Sequence, residues 1–100
     1  EEVDEGDLIA EALGDKKVII LQNHGILTTG PSVDIALWFY TSMERCCQAQ
    51  LMADAAGETQ LIPHDTAIKT RSFIANDVAA WASFQPAFDM ICKKEPDLFD

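Results

Sequence analysis

Apolar and polar positions follow two different periods in the first third of the chain. Apolar residues within 7–13 recur at helical spacing, and Gly14 is suited to end a helix in the left-handed conformation. We therefore predict a short helix over about residues 5–13. The next apolar run, residues 18–21, is uninterrupted and mostly β-branched, which is typical of a strand buried on both faces. A second short strand is predicted over residues 26–29.

A tight turn is predicted between these strands, at Asn23-His24-Gly25, because Gly25 can adopt the positive φ that a bulky residue resists. Gly30-Pro31 is predicted to end the second strand, and Ser32 to cap the next helix. No proline or glycine interrupts residues 33–56. This stretch therefore predicts a helix of roughly 24 residues that ends at the following glycine.

The long predicted helix is apolar on nearly all sides. Its main stripe at helical spacing consists of Ala36, Leu37, Tyr40, Met43, Cys47 and Leu51. A second set broadens this stripe and consists of Ile35, Trp38, Phe39, Cys46, Ala49 and Ala53. A helix of this kind is expected to be buried on more than one side.

The remainder of the chain predicts two further helices. Residues 58–64 are expected to form a loop, because the proline within them cannot continue the long helix. Asp65 is predicted to cap a helix that runs to about residue 75. A last helix is predicted over residues 78–93, kinked or restarted near Pro86.

Charge and cysteine content then restrict the partners and the compartment. Seventeen acidic and seven basic residues give a net charge of -10. Nucleic acids and anionic membranes require clustered Lys and Arg, so the sequence predicts neither as a partner.

Three cysteines, two of them adjacent in a predicted helix, are poorly placed for a structural disulfide and favour a reducing compartment. With neither a membrane span nor a secretory signal, a cytoplasmic protein is expected.

The candidate chemistry centres on His24. Placed at a turn between two strands, a neutral imidazole can project from the rim of a sheet and bind a divalent metal ion. From the residues alone, a surface or hydrogen-bonded histidine is the favoured interpretation of His24, and also of His64 in the predicted loop. Thr28 and Thr29 could bind a substrate phosphate, although β-branched residues are expected in a strand in any case. The adjacent cysteines lack a neighbouring histidine and are interpreted as small core residues.

Around His24 the sequence resembles the class II aldolase/adducin family. Members of this family have a strand, Asn-His-Gly, an apolar strand, a glycine, and then Ser or Thr at the start of a long helix. Residues 5–14, 43–51, 84–86 and 95–97 also resemble segments of fungal-type members. The resemblance therefore covers nearly the whole chain.

The resemblance implies an α/β fold class. Residues 1–100 are then the C-terminal part of a three-layer α/β/α class II aldolase-type domain, without an internal boundary, built of a helix, a β-hairpin, a long helix and C-terminal helices. A lone hairpin is too little sheet to stand by itself. The strands, at 18–23 and 26–30, are therefore expected to form one edge of a larger sheet, and the chain is expected to be a fragment.

The resemblance also implies a metal-dependent lyase. His24 would be the third protein ligand of Zn²⁺ or another divalent ion, with a His-x-His and an acid/base carboxylate upstream of this chain. The substrate would be a sugar phosphate or a related hydroxy-carbonyl compound, cleaved, epimerised or dehydrated through an enediolate that the metal stabilises. A catalytic zinc usually needs three protein ligands, so the chain alone is expected to be inactive.

Two further expectations follow from the resemblance and from the apolar long helix. The family forms homotetramers, which implies an oligomeric parent protein, and the exposed helix and strand edges predict self-association of this chain. The alternative to an enzyme is an adducin-head-like domain that retains the fold for binding or assembly without the metal.

Overall fold

The computed structural model describes residues 2–100, with side chains from Asp4 onward. The elements in chain order are α1 (Glu2–Leu13), β1 (Val18–Leu21), β2 (Gly25–Thr28), α2 (Val33–Ala56), α3 (His64–Ile74), α4 (Asp77–Lys94) and a 3₁₀ turn (Pro96–Phe99). The described part of the chain is therefore mixed α/β, with one antiparallel hairpin and long helices. This confirms the predicted fold class.

The first helix ends where the sequence predicts. Gly14 has a φ of 53°, and its N–H donates to the carbonyl of Ala10 at 3.0 Å, which closes the last turn of α1. The helix begins at Glu2, earlier than the predicted residue 5. Acidic residues favour the first turn of a helix, so the acidic residues from Glu2 onward are part of α1.

The hairpin has the predicted turn but shorter strands. Val18 pairs with Thr28, and Leu21 pairs with Gly25, so three residues form the connection. The predicted strand 18–23 ends at Leu21, because residues 22–24 form the turn, and the predicted strand 26–30 begins at Gly25 and ends at Thr28. Ile20 is 61% exposed, so β1 is not buried on both faces within the described residues.

The long helix has the bounds that the sequence predicts. Ser32 lies at its N-terminus in an extended conformation, and its hydroxyl accepts from the backbone N–H of Ile35 at 3.5 Å. At the other end the N–H of Gly57 donates to the carbonyl of Ala53 at 3.2 Å. Both ends were therefore correctly predicted from cap residues.

The core lies where the first half of α2 packs against α4 and the hairpin. Its buried residues are Ile35, Phe39 and Ala80, and Val18, Trp38 and Ala75 pack against them. The predicted main stripe of α2 is wrong for this chain, since Leu37 and Tyr40 are 41% and 43% exposed. Of the second set, Ile35, Trp38 and Phe39 face the core, because α4 and the hairpin approach that side of the helix. The remaining members are exposed, namely Cys46, Ala49 and Ala53. Within the described residues nothing covers the opposite side.

Lys17 joins the start of the hairpin to the start of α4. Its ammonium lies 2.6 Å from Oδ1 of Asp77, 3.4 Å from the carbonyl of Ala75 and 4.7 Å from the centre of the Phe39 ring. Both charged side chains are about half exposed, so the ion pair contributes at most about 1 kcal/mol. Its main effect is to fix the relative position of these elements.

The start of α3 differs from the prediction. The helix begins at His64, with Pro63 in the cap position, rather than being capped by Asp65. Proline has a φ close to that of a helix and lacks an N–H, so it suits the first positions of a helix. Asp65 therefore lies in the first turn, where its negative charge is favourable.

Helix α4 is unbroken. Asn76, which the sequence analysis did not identify, caps it by accepting from the N–H of Ala79 at 2.8 Å. The helix continues through Pro86 to Lys94 instead of restarting. Pro86 is exposed, so water can satisfy the carbonyl that its missing N–H leaves free.

The described residues are more extended than a compact domain of this length. Their radius of gyration is 16.5 Å, whereas about 13 Å is typical of a 100-residue domain. Large apolar side chains lie on the surface, including Leu61 at 95% exposed, Val78 at 77% and Phe99 at 71%. The fold therefore leaves apolar faces uncovered within the described part of the chain.

Candidate functional site

The turn that carries His24 is defined by its backbone. Asn23 has a φ of 62° and Gly25 a φ of 139°, so both residues that flank His24 lie in the positive-φ region. Glycine adopts this region freely, and asparagine does so more readily than most residues. The N–H of His24 donates to the carbonyl of Leu21 at 3.2 Å, which closes the turn. The positive φ of Gly25 was predicted from the sequence, whereas that of Asn23 was not.

The His24 side chain is exposed at the tip of the hairpin. No hydrogen bond from the described residues engages its ring, so both imidazole nitrogens are accessible to a ligand. Within the described residues no cluster of three or more His, Cys, Asp or Glu side chains could hold a metal ion. The donor set of this chain therefore fits one ligand of a metal site and not a complete site.

The other candidate residues do not converge on His24. His64 is the first residue of α3, exposed, and not in a loop as predicted. The hydroxyl of Thr28 donates to the carbonyl of Ala36 at 2.8 Å, and the N–H of Thr29 donates to the carbonyl of Lys17 at 2.9 Å. Thr28 thus fastens β2 to α2, in agreement with its ordinary structural interpretation.

The cysteines are all free thiols. Cys47 and Cys92 are half-buried, whereas Cys46 is exposed, so its interpretation as a core residue is wrong for this chain. Cys46 lies on the side of α2 that no described residue covers. Among the described residues no histidine forms a hydrogen bond with either adjacent cysteine.

One group of charged residues was missed by the sequence analysis. Lys16, Lys17 and Arg71 line a cavity of about 370 Å³ beside the start of β1, together with Asp15 and an apolar wall. Arg71 is more than fifty positions from the lysines along the chain. No local sequence signal links these residues, because they meet only where the segment from Arg71 to Ala75 lies beside the start of β1.

No helix in the described part of the chain combines the length and the apolar character needed to cross a bilayer.

Comparison with known proteins identifies the family. The family described as "Class II Aldolase and Adducin N-terminal domain" matches residues 1–51. "Decarboxylase NovR" of Streptomyces niveus is 39% identical over 95 residues, which are 95% of this chain and 35% of that protein. Alpha-adducin of Rattus norvegicus is 38% identical over 58 residues, which are 55% of this chain and 8% of that protein.

A solved structure has the same fold. The L-fuculose 1-phosphate aldolase from Glaciozyma antarctica PI12 matches with a TM-score of 0.87 and 40% identity, covering 91% of this chain and 36% of that one. This chain spans about a third of the length of that aldolase and of the Streptomyces decarboxylase. The family match over half of the chain, supported by the shared fold, shows that the chain belongs to the class II aldolase/adducin family.

Proposed function

We propose that this chain supplies one metal-binding imidazole, His24, to a metal-dependent enzyme of the class II aldolase type. The substrate is a sugar phosphate or a related hydroxy-carbonyl compound, and the metal is Zn²⁺ or another divalent ion. The observation that carries the proposal is the exposed His24 ring, held between two positive-φ residues at the tip of a hairpin in a chain of this family.

The hairpin suits the role of a rigid ligand support. Four paired positions in the hairpin, and the hydrogen bond from the His24 N–H to the Leu21 carbonyl, fix the backbone that carries the His24 ring. A ligand on a fixed backbone loses little conformational entropy when it binds an ion. When bound, a divalent ion acts as a Lewis acid that polarises the carbonyl group of the substrate. The remaining ligands and the acid/base group are proposed to lie outside these hundred residues.

Cleavage of a carbon–carbon bond is the reaction that the relatives favour. The names of the Streptomyces decarboxylase and the Glaciozyma aldolase both describe such a cleavage. Epimerisation and dehydration of the same class of substrate remain the alternatives. All three reactions need a polarised carbonyl group, so a metal-binding imidazole serves each of them.

A pair of histidine variants tests the proposal. In the complete protein that contains this sequence, we expect His24→Ala to lower metal affinity by at least about tenfold and to reduce cleavage of phosphorylated hydroxy-carbonyl substrates by at least about a hundredfold. The matched control is His64→Ala, which removes the second histidine of the chain and should change both quantities by less than about twofold. Metal content and initial rates are the measurements.

The outcomes separate the parts of the proposal. Equal metal content in the His24→Ala and unchanged proteins would refute the ligand role of His24. In this chain alone we expect no tight one-to-one zinc binding, since one imidazole does not make a site. Tight binding at micromolar zinc that disappears in His24→Ala would show that the site is complete within these residues.

The second candidate function is an adducin-head-like domain that binds or assembles without catalysis. The alpha-adducin match supports it, because a protein of that name shares this stretch of sequence. The sequence upstream of Glu1 in the gene distinguishes the two candidates: a His-x-His there supports the enzyme, and its absence supports the binding domain.

Homo-oligomerisation is part of the proposal in either case. The outer edges of β1 and β2 have no strand partner in the described sheet, and apolar side chains such as Leu61 and Phe73 are exposed. Such surfaces associate with other apolar surfaces or strand edges. We expect light scattering across a concentration series to show species larger than the 11.0 kDa monomer. A monomer that persists at high concentration would contradict this expectation.

The proposed location is the cytoplasm. All three cysteines are free thiols, and the adjacent pair on α2 is not bridged. Free thiols persist in a reducing compartment and tend to be oxidised outside it.

A further inference from the structure

The cavity beside the start of β1 concentrates positive charge in an acidic protein. Three of the seven basic residues of the chain line it, and the only acidic side chain in its wall is Asp15. The wall therefore carries two more positive than negative charges, whereas the whole chain has a net charge of -10. The cavity lies at the end of the hairpin opposite to the His24 turn, so it is separate from the proposed metal site.

The three cations differ in how far they are already paired. Lys17 is held by Asp77 and the carbonyl of Ala75, and Lys16 forms an exposed ion pair with Asp15. Arg71 forms no ion pair with any side chain that the structure describes. Its guanidinium therefore remains available to an anion from solution.

The rest of the wall is apolar. Val18, Phe39 and Ala75 form this side, and two of them pack against the buried core. An apolar wall strengthens ion pairs beside it because it excludes water, and it offers a surface to a carbon skeleton. A volume of about 370 Å³ lies within the range of small-molecule sites.

We propose that this cavity binds a small organic phosphate monoester, with Arg71 as the principal phosphate ligand. A phosphate monoester carries a charge of about -1.5 to -2 near neutral pH, so it is attracted to the unpaired guanidinium of Arg71 and to the two lysines beside it. A guanidinium presents parallel N–H donors that fit two phosphate oxygens. Lys16, which is largely exposed, can reach a third oxygen, and the apolar wall contacts the organic group.

Equilibrium dialysis with phenyl phosphate tests this site in the presence of EDTA, which removes any metal ion from His24. We expect saturable binding with a dissociation constant of roughly millimolar magnitude, because the cations are partly exposed to water. Arg71→Gln should weaken it by at least about fivefold, and Arg71→Lys should restore part of the loss. Circular dichroism checks that each variant retains its helices.

Lys69→Gln is the matched control. Lys69 is exposed on the same helix, carries the same charge and does not line the cavity, so its removal should change binding by less than about twofold. Equal losses in the Lys69→Gln and Arg71→Gln proteins would show diffuse electrostatic attraction and overturn the proposal. Absence of saturable phenyl phosphate binding, or equal binding of uncharged phenol, would overturn it as well.

Discussion

Replacing Phe39 by alanine is expected to lower the free energy of unfolding by about 3 kcal/mol or more. Phe39 is 9% exposed and lies in the small core with Ile35 and Ala80. Its ring also lies under the ammonium group of Lys17, at 4.7 Å from the ring centre. The substitution removes apolar contacts, leaves a cavity and takes away a cation–π contact, so the three losses act in the same direction.

Phe73 provides the matched control for this prediction. It is 69% exposed on α3, and Phe73→Ala should change the free energy of unfolding by less than about 0.5 kcal/mol. Urea unfolding, followed by circular dichroism, measures the free energy of unfolding of both variants. The protein concentrations are chosen so that the variants and the unchanged protein have the same oligomeric state. If Phe39→Ala leaves no folded protein, Phe39→Leu should still show a smaller loss, since leucine fills part of the space. Similar effects at Phe39 and Phe73 would mean that the core lies elsewhere.

Local signals predicted the element boundaries well. Gly14 and Gly57 end helices, and Ser32 caps one, because each acts on the backbone within a few residues of its own position. The two helix starts that were not predicted correctly, those of α3 and α4, lie where more than one nearby residue can act as the cap. Pro63 can occupy a cap position as well as Asp65 can, and Asn76 was overlooked as a cap although its residue type is among the preferred ones.

The face of α2 that becomes buried could not be predicted in the same way. The helix is apolar on nearly all sides, so its periodicity does not single out one stripe. The choice depends on where α4 and the hairpin approach, and these contacts are long-range. Ile35 and Phe39 are buried for this reason, while Tyr40, in the stripe that the pattern favoured, is exposed.

The candidate site shows the same division between local and distant information. His24 and its turn are encoded in consecutive residues, so the position of the ring at the hairpin tip was predictable. The grouping of Lys16 and Lys17 with Arg71 depends on the position of the end of α3 beside the start of β1, and no spacing rule indicates it. The full ligand set of a metal site likewise cannot be predicted from a single turn, since one imidazole is only one of the ligands that the site needs.

Gly30 illustrates a constraint that is visible only in three dimensions. Its φ lies outside the left-handed region, so its backbone conformation does not require glycine. A Cβ atom at this position, however, would lie 2.9 Å from Cγ2 of Ile35 and 3.1 Å from the backbone N of Ala36. Ile35 is a buried core residue, and Ala36 N belongs to the first turn of α2, so neither atom can move away easily. The close approach of the chain after β2 to the start of α2 therefore excludes a side chain.

Gly30→Ala is accordingly expected to lower the free energy of unfolding by about 1 to 3 kcal/mol, the cost of overpacking. Gly6→Ala should do the reverse. Gly6 lies within α1, a Cβ atom there would meet nothing within 4 Å, and alanine is the better helix former by about 0.5 to 1 kcal/mol. The same chemical change thus has opposite signs at two glycines, and urea unfolding of both variants measures the difference directly. A Gly30→Ala protein as stable as the Gly6→Ala protein would show that the chain does not approach the start of α2 as closely as described.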